Sequence, residues 1–265
     1  GHSILAASKE PNRTYAMFTV FASCTGATLV YFSSIWIEEG GYVQFFTNFV
    51  FLYAALSLSF FLATKPDLSL TSESNDGKNS KFYIFACLIL AVLFFEVPSS
   101  GIWAFMERFG VEDLGMNVSR VGEVISMSII FSLIGPLFVG LVGNRLGRKI
   151  PILVCLFLSS FCIYFIFGVA TVETFYYGNI TWNIIFTIMV IFILGASADI
   201  DPSGKLGSWL NACMLLSASI SPAVFGWILL DHSLSEIYPY LMFFLLAAFV
   251  CIFITKRELE PIDKV

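Results

Sequence analysis

The stretch Gly140-Leu141-Val142-Gly143-Asn144-Arg145-Leu146-Gly147-Arg148-Lys149 joins two long apolar runs, residues 121–143 and 150–172. A bilayer core takes about 20 mostly uncharged residues to cross as a helix, and each run supplies them. The link between them is short and basic, carrying Arg145, Arg148 and Lys149. Gly143 and Gly147 permit a tight reversal between two neighbouring helices. Cations crowded into a short link between spanning runs mark a cytoplasmic loop.

Six further runs flank this pair, at 15–37, 42–64, 82–106, 182–198, 206–230 and 240–255, so the chain is predicted to be an all-α integral membrane protein with eight transmembrane helices. The links alternate in charge. One set holds Lys9, Arg13, Lys65, Lys78, Lys81, Arg145, Arg148, Lys149, Lys205, Lys256, Arg257 and Lys264, and the other only Arg108 and Arg120. That asymmetry puts both ends of the chain in the cytoplasm, on an inner or plasma membrane.

Composition points the same way: a mean hydropathy of +0.86, 12% charged residues and 29 Phe leave too little polar surface for a water-soluble protein of this length. The lipid bilayer is the expected partner. The net charge of −5 is spread over short loops with no basic patch, which excludes nucleic acid. All six Cys lie in apolar runs and read as small apolar fillers rather than metal ligands or disulfide halves. His2 and His232 lie outside the runs, and no nucleophile is paired with a base, so no catalytic residue, metal or cofactor is predicted. Residues 1–8 are unlike a signal peptide.

The chain repeats itself. Ile4-Leu5-Ala6-Ala7-Ser8 recurs as Ile193-Leu194-Gly195-Ala196-Ser197, each followed by a polar turn with proline, Pro11 and Pro202, and then by a run rich in small residues. Self-similarity at this spacing fits duplicated halves, a construction common among secondary transporters. The first two helices then match the last two. Residues 82–265 make a complete six-helix half, 65–81 a cytoplasmic linker, and 1–64 the end of a first half whose other four helices are expected to precede this chain.

The quoted loop resembles the motif of the major facilitator superfamily, Gly-x-x-x-Asp-Arg-x-Gly-Arg-Arg/Lys, found between helices two and three and again between eight and nine. Gly140, Asn144, Arg145, Gly147, Arg148 and Lys149 match it in order, with Asn144 where the family has aspartate. Trp103-Ala104-Phe105-Met106-Glu107-Arg108 and Asp201-Pro202-Ser203-Gly204 are also similar to family members. The resemblance implies helices five to twelve of a twelve-helix transporter, with the loop acting in gating; the alternative is a basic anchoring loop with no role in gating. Arg145, Arg148 and Lys149 are expected to hold it at the headgroup level. Asn144 would replace an anion at a helix start, worth about 0.3–1 kcal/mol, with a neutral hydrogen bond to the helix beginning near Thr14. The Gly-Pro motif of drug/proton antiporters is not visible in Ala22-Ser23-Cys24-Thr25-Gly26-Ala27.

Glu96 is the one charge deep in an apolar run. Fourteen residues from Phe82, it lies about 21 Å along its helix, past the middle of a core about 30 Å thick. An acid there costs about 2.5–3.5 kcal/mol on insertion scales, so it is expected to face a cavity or a partner. Ser100, Trp103 and Glu107 share its helical face, and Pro98 and Gly101 make a local opening cheap. Glu96, Ser100 and Trp103 are the candidate binding residues, the acid for a proton or a cationic group and the indole for stacking. The alternative is a Glu96 hydrogen-bonded to a neighbouring helix and a Trp103 in an interfacial aromatic belt.

Asp201-Pro202 reads as a helix N-cap with proline at the first helical position. Asn48, Ser128, Ser132, Thr187 and Asn211 line a cavity or pack helices together. Gly135-Pro136 and Ser221-Pro222 read as kinks, and Asn117-Val118-Ser119 and Asn179-Ile180-Thr181 are glycosylation sequons on the outer face. The glycine-rich loop lacks the Lys-Ser/Thr ending of a nucleotide-binding loop. The expected function is therefore secondary active transport of a small solute by alternating access, with a proton as a candidate second partner. A transporter-fold sensor and a membrane-embedded enzyme are the alternatives.

Overall fold

The computed structural model describes residues 11–62, 78–143, 145–201 and 203–255. The chain divides into two units, one of residues 1–17 and 74–265 and one of residues 18–73.

The first element, α1 (Pro11–Leu62), is interrupted at Gly41, whose φ of 66° and ψ of −168° leave the helical region. The break separates the runs expected at 15–37 and 42–64, and glycine occupies it because an L side chain disfavours that backbone. In the smaller unit, Phe45, Phe49 and Tyr53 stack in succession along the helix at centroid spacings of 5.1 and 5.5 Å. Thr47 returns its hydroxyl proton to the Val43 carbonyl, as polar side chains do where water is scarce. The first turns of α1 belong to the larger unit, with Tyr15 and Ala16 buried in its core.

The larger unit continues with α2 (Lys78–Arg108), whose end loosens into a π-helical turn, Phe109–Asp113. Next come α3 (Val118–Ser132), α4 (Ile134–Val142), α5 (Lys149–Ile163) with a second π-helical end at Tyr164–Val169, α6 (Val172–Ile200), α7 (Lys205–Ile228) and α8 (Leu234–Ile254). Among the described residues six helices are long and apolar enough to cross a membrane, Tyr83–Asp113, Arg120–Val142, Lys149–Val169, Val172–Ile200, Lys205–Ile228 and Leu234–Ile254. These fall on the six runs expected from residue 82 onward. Many large apolar side chains remain exposed, Leu141, Trp227, Phe243 and Phe253 among them, as a lipid-facing surface requires.

Several boundaries differ from the sequence reading. The sixth span begins at Val172 rather than Trp182, because Thr171 and Thr174 form a capping box that starts the helix early. Asn179 is therefore fully buried inside α6, its amide donating to Phe175 O at 2.8 Å, and the second sequon cannot accept a glycan. The run 121–143 breaks at Leu133. Pro136 has no N–H for the carbonyl of Ser132, four residues back, and Thr187 Oγ1 of α6 donates to that carbonyl at 3.0 Å. Ser128 accepts from Asn183 Nδ2 at 3.2 Å on the same seam, so Ser128, Ser132 and Thr187 join helices. Gly135 allows the approach: a Cβ there would lie 2.1 Å from Thr187 Oγ1. Finally, α7 starts at Lys205 with Gly204 as its cap, so Asp201 caps from further back, and Pro202 lies outside the described residues.

Candidate functional site

The turn of α2 around Pro98 is held from two sides. Ser221 Oγ of α7 donates to the Val97 carbonyl, and Gly101 lies so close to the Phe225 ring that a Cβ would come within 2.3 Å of it. From α6, Phe186 packs on Phe95 with ring centroids 5.5 Å apart. Ser99 donates to Phe95 O at 2.7 Å, so the backbone beside the proline stays hydrogen-bonded.

Glu96 sits on this turn with only 5% of its surface exposed. Among the described residues it makes no hydrogen bond or ion pair. Burying a carboxyl without a partner is costly, which makes such a group in an apolar helix a candidate for function. Ser100 is half-buried, Trp103 is 40% exposed and Glu107 is exposed, so the face opens progressively from Glu96 toward the end of α2. Cys155 and Cys162 of α5 are buried and unbonded, as apolar fillers would be. Asn48 and Asn211 are half-buried.

At the other end of the bundle the basic loop turns inward. Gly143 and Gly147, with φ of 59° and 67°, make the reversal. Arg148, expected at the headgroups, is buried and grips Asp199 at the end of α6 with Nε–Oδ2 2.6 Å and Nη2–Oδ1 3.2 Å. Such a two-point pair fixes geometry as well as charge. It also offsets the unfavourable placement of an anion at a helix C-terminus. Lys149 Nζ donates to Thr255 O, the cap of α8, at 2.6 Å, and lies over the Phe253 ring at 5.5 Å. Arg145 alone of the three is exposed. The start of α1 meets this loop, since Arg13 Nε donates to Gly140 O at 3.1 Å. Asn144 lies outside the described residues.

Asp201 shapes the turn into α7. Its Oδ2 accepts from Leu206 N at 2.8 Å and its Oδ1 from Ser203 N at 3.1 Å and from the Ser203 hydroxyl. Partial burial pushes its carboxyl pKa up, but these hydrogen bonds outweigh burial and hold it below the ordinary aspartate value.

Sequence reasoning missed Asp199, which the loop motif gives no reason to single out. The usable signal was an acid within three residues of Pro202 in a segment facing three cations. It also read Ser221 only as part of a kink.

No family model and no curated protein sequence matches the chain. Its backbone is similar to the crystal structure of a major facilitator superfamily transporter, FucP, in the outward conformation, with a TM-score of 0.70 and 12% identity over 93% of this chain and 68% of that one. The chain therefore shares the fold of that superfamily, and with six membrane-capable helices it is an integral membrane protein.

Proposed function

We propose that the chain is the carboxy-terminal portion of a secondary active transporter that moves a small solute by alternating access, coupled to a proton carried by Glu96. The observation that supports this reading most is a buried, unpaired glutamate on a proline-interrupted helix of a transporter fold. In the proposed cycle Glu96 is charged when its cavity is open to one bulk phase and protonated when it opens to the other. Ser100 and Trp103, on the wetter continuation of the same face, contact the solute. Residues 1–64 supply helices five and six, 65–81 the linker and 82–265 the second half, with both termini cytoplasmic and eight spans in all. The Gly140–Lys149 loop, through Arg148 on Asp199, locks the cytoplasmic end. Four further helices of the same protein complete the cavity.

The test uses the intact protein in proteoliposomes under an imposed pH gradient, with pyranine reporting internal pH and a panel of neutral and cationic small solutes offered outside. The wild type acidifies or alkalinises the lumen with at least one solute, and Glu96→Gln abolishes that coupled movement while leaving solute exchange. Full pH-driven flux in the Gln variant would remove Glu96 from the mechanism.

A further inference from the structure

Between α2, α7 and α8 lies a crevice of about 530 Å³, within the range of about 300–1,000 Å³ usual for small-molecule sites. Its walls are apolar, with Val97 and Pro98 on α2, Val224 and Ile228 on α7, and Leu241 and Phe244 on α8. At one end it meets a polar hollow of about 220 Å³ that shares His232 and Glu236 with it. The charged groups around that hollow are Arg108, Glu112, Asp113, Asp231, His232 and Glu236.

Arg108 is committed to Glu112 at 2.6 Å and to Leu229 O at 3.3 Å, and His232 faces Glu236 at 3.2 Å. Neither Asp113 nor Asp231 forms an ion pair with any described residue. The mouth therefore carries four carboxylates against one arginine that is already paired, and an apolar crevice opens directly behind it. We propose that this crevice binds an amphiphilic organic amine, with its apolar body between α2, α7 and α8 and its ammonium group among Asp231, Glu236 and the exposed Tyr240 ring. A phospholipid fits less well. Its phosphate would sit among four carboxylates whose only arginine is already paired. The site is separate from Glu96, which does not line the crevice.

Photo-crosslinking in phosphatidylcholine nanodiscs tests the assignment. Three probes share one alkyl tail ending in a diazirine and differ only in head: ammonium, glucoside or sulfate. Mass spectrometry should find the ammonium probe on crevice residues of α7 and α8 about tenfold more often than the sulfate probe. Asp231→Asn with Glu236→Gln should bring the ammonium probe down to the glucoside level. Both groups are exposed and Gln can still accept from Ser233 N, so the fold should be kept. Val224→Trp, filling the crevice from its exposed wall, should remove labelling there by every probe. Equal labelling by the three heads, or an ammonium preference unchanged in the double variant, would show an ordinary lipid-facing surface and overturn the proposal.

Discussion

Removing Asp199 would strand a guanidinium whose side chain is 5% exposed, whereas removing Arg148 would leave a carboxylate that is already 46% exposed. The two halves of one ion pair are therefore predicted to differ in cost. Asp199→Asn should destabilise the protein by about 3 kcal/mol, because an uncompensated buried charge remains, and Arg148→Met by about 1 kcal/mol. Thermal unfolding in detergent measures both, and equal losses would contradict the asymmetry. Asp201 gives a pH dependence with a defined sign. Its folded pKa lies below the unfolded value, so its contribution is complete above the ordinary aspartate pKa of about 3.9 and is lost as pH falls through the folded value. Asp201→Asn should lower the melting temperature at neutral pH, and the gap to wild type should close in acid. A gap that widened on acidification would reverse the assignment.

The α3–α4 break shows how one element borrows from another. Pro136 leaves the Ser132 carbonyl without its helical donor, and Thr187 supplies the bond from α6. Thr187→Val should cost about 1–2 kcal/mol, the usual penalty for a buried acceptor left unpaired, with Thr187→Ser close to neutral. Gly135→Ala should cost more, about 2–3 kcal/mol, since its methyl would overlap Thr187 Oγ1 and come within 2.9 Å of the Ile184 carbonyl. Urea or SDS titrations that ranked Gly135→Ala below Thr187→Val would refute this account of the seam. The kink itself was legible, because Gly-Pro in an apolar run has few other readings. Its repair was not, since nothing in a linear sequence pairs Thr187 with residue 132. The early start of α6 was missed for a related reason. Glu173, Asn179 and Thr181 dilute the hydropathy of that stretch, and the capping pair Thr171 and Thr174 that outweighs them is a short signal.

For the molecule as a whole, apolar run length marked the six membrane-capable helices found among the described residues, because a bilayer imposes length and polarity more strictly than water does. Inward-facing contacts were harder to read: Arg148 has the composition of a headgroup anchor and the environment of a core residue. Charge asymmetry further predicts that single cysteines at Arg145 and Asp231 react with an impermeant thiol reagent from opposite sides of the membrane. Reaction from the same side would invert part of the topology. Alternating access at the Glu96 face is the claim on which the functional account stands. Its most direct measurement is modification of Ser100→Cys in the intact protein, with native cysteines replaced, by an impermeant thiol reagent applied to right-side-out and to inside-out vesicles. The account predicts slow modification from both sides, as each opening of the cavity exposes the thiol in turn. Modification from one side only, or from neither, would contradict it.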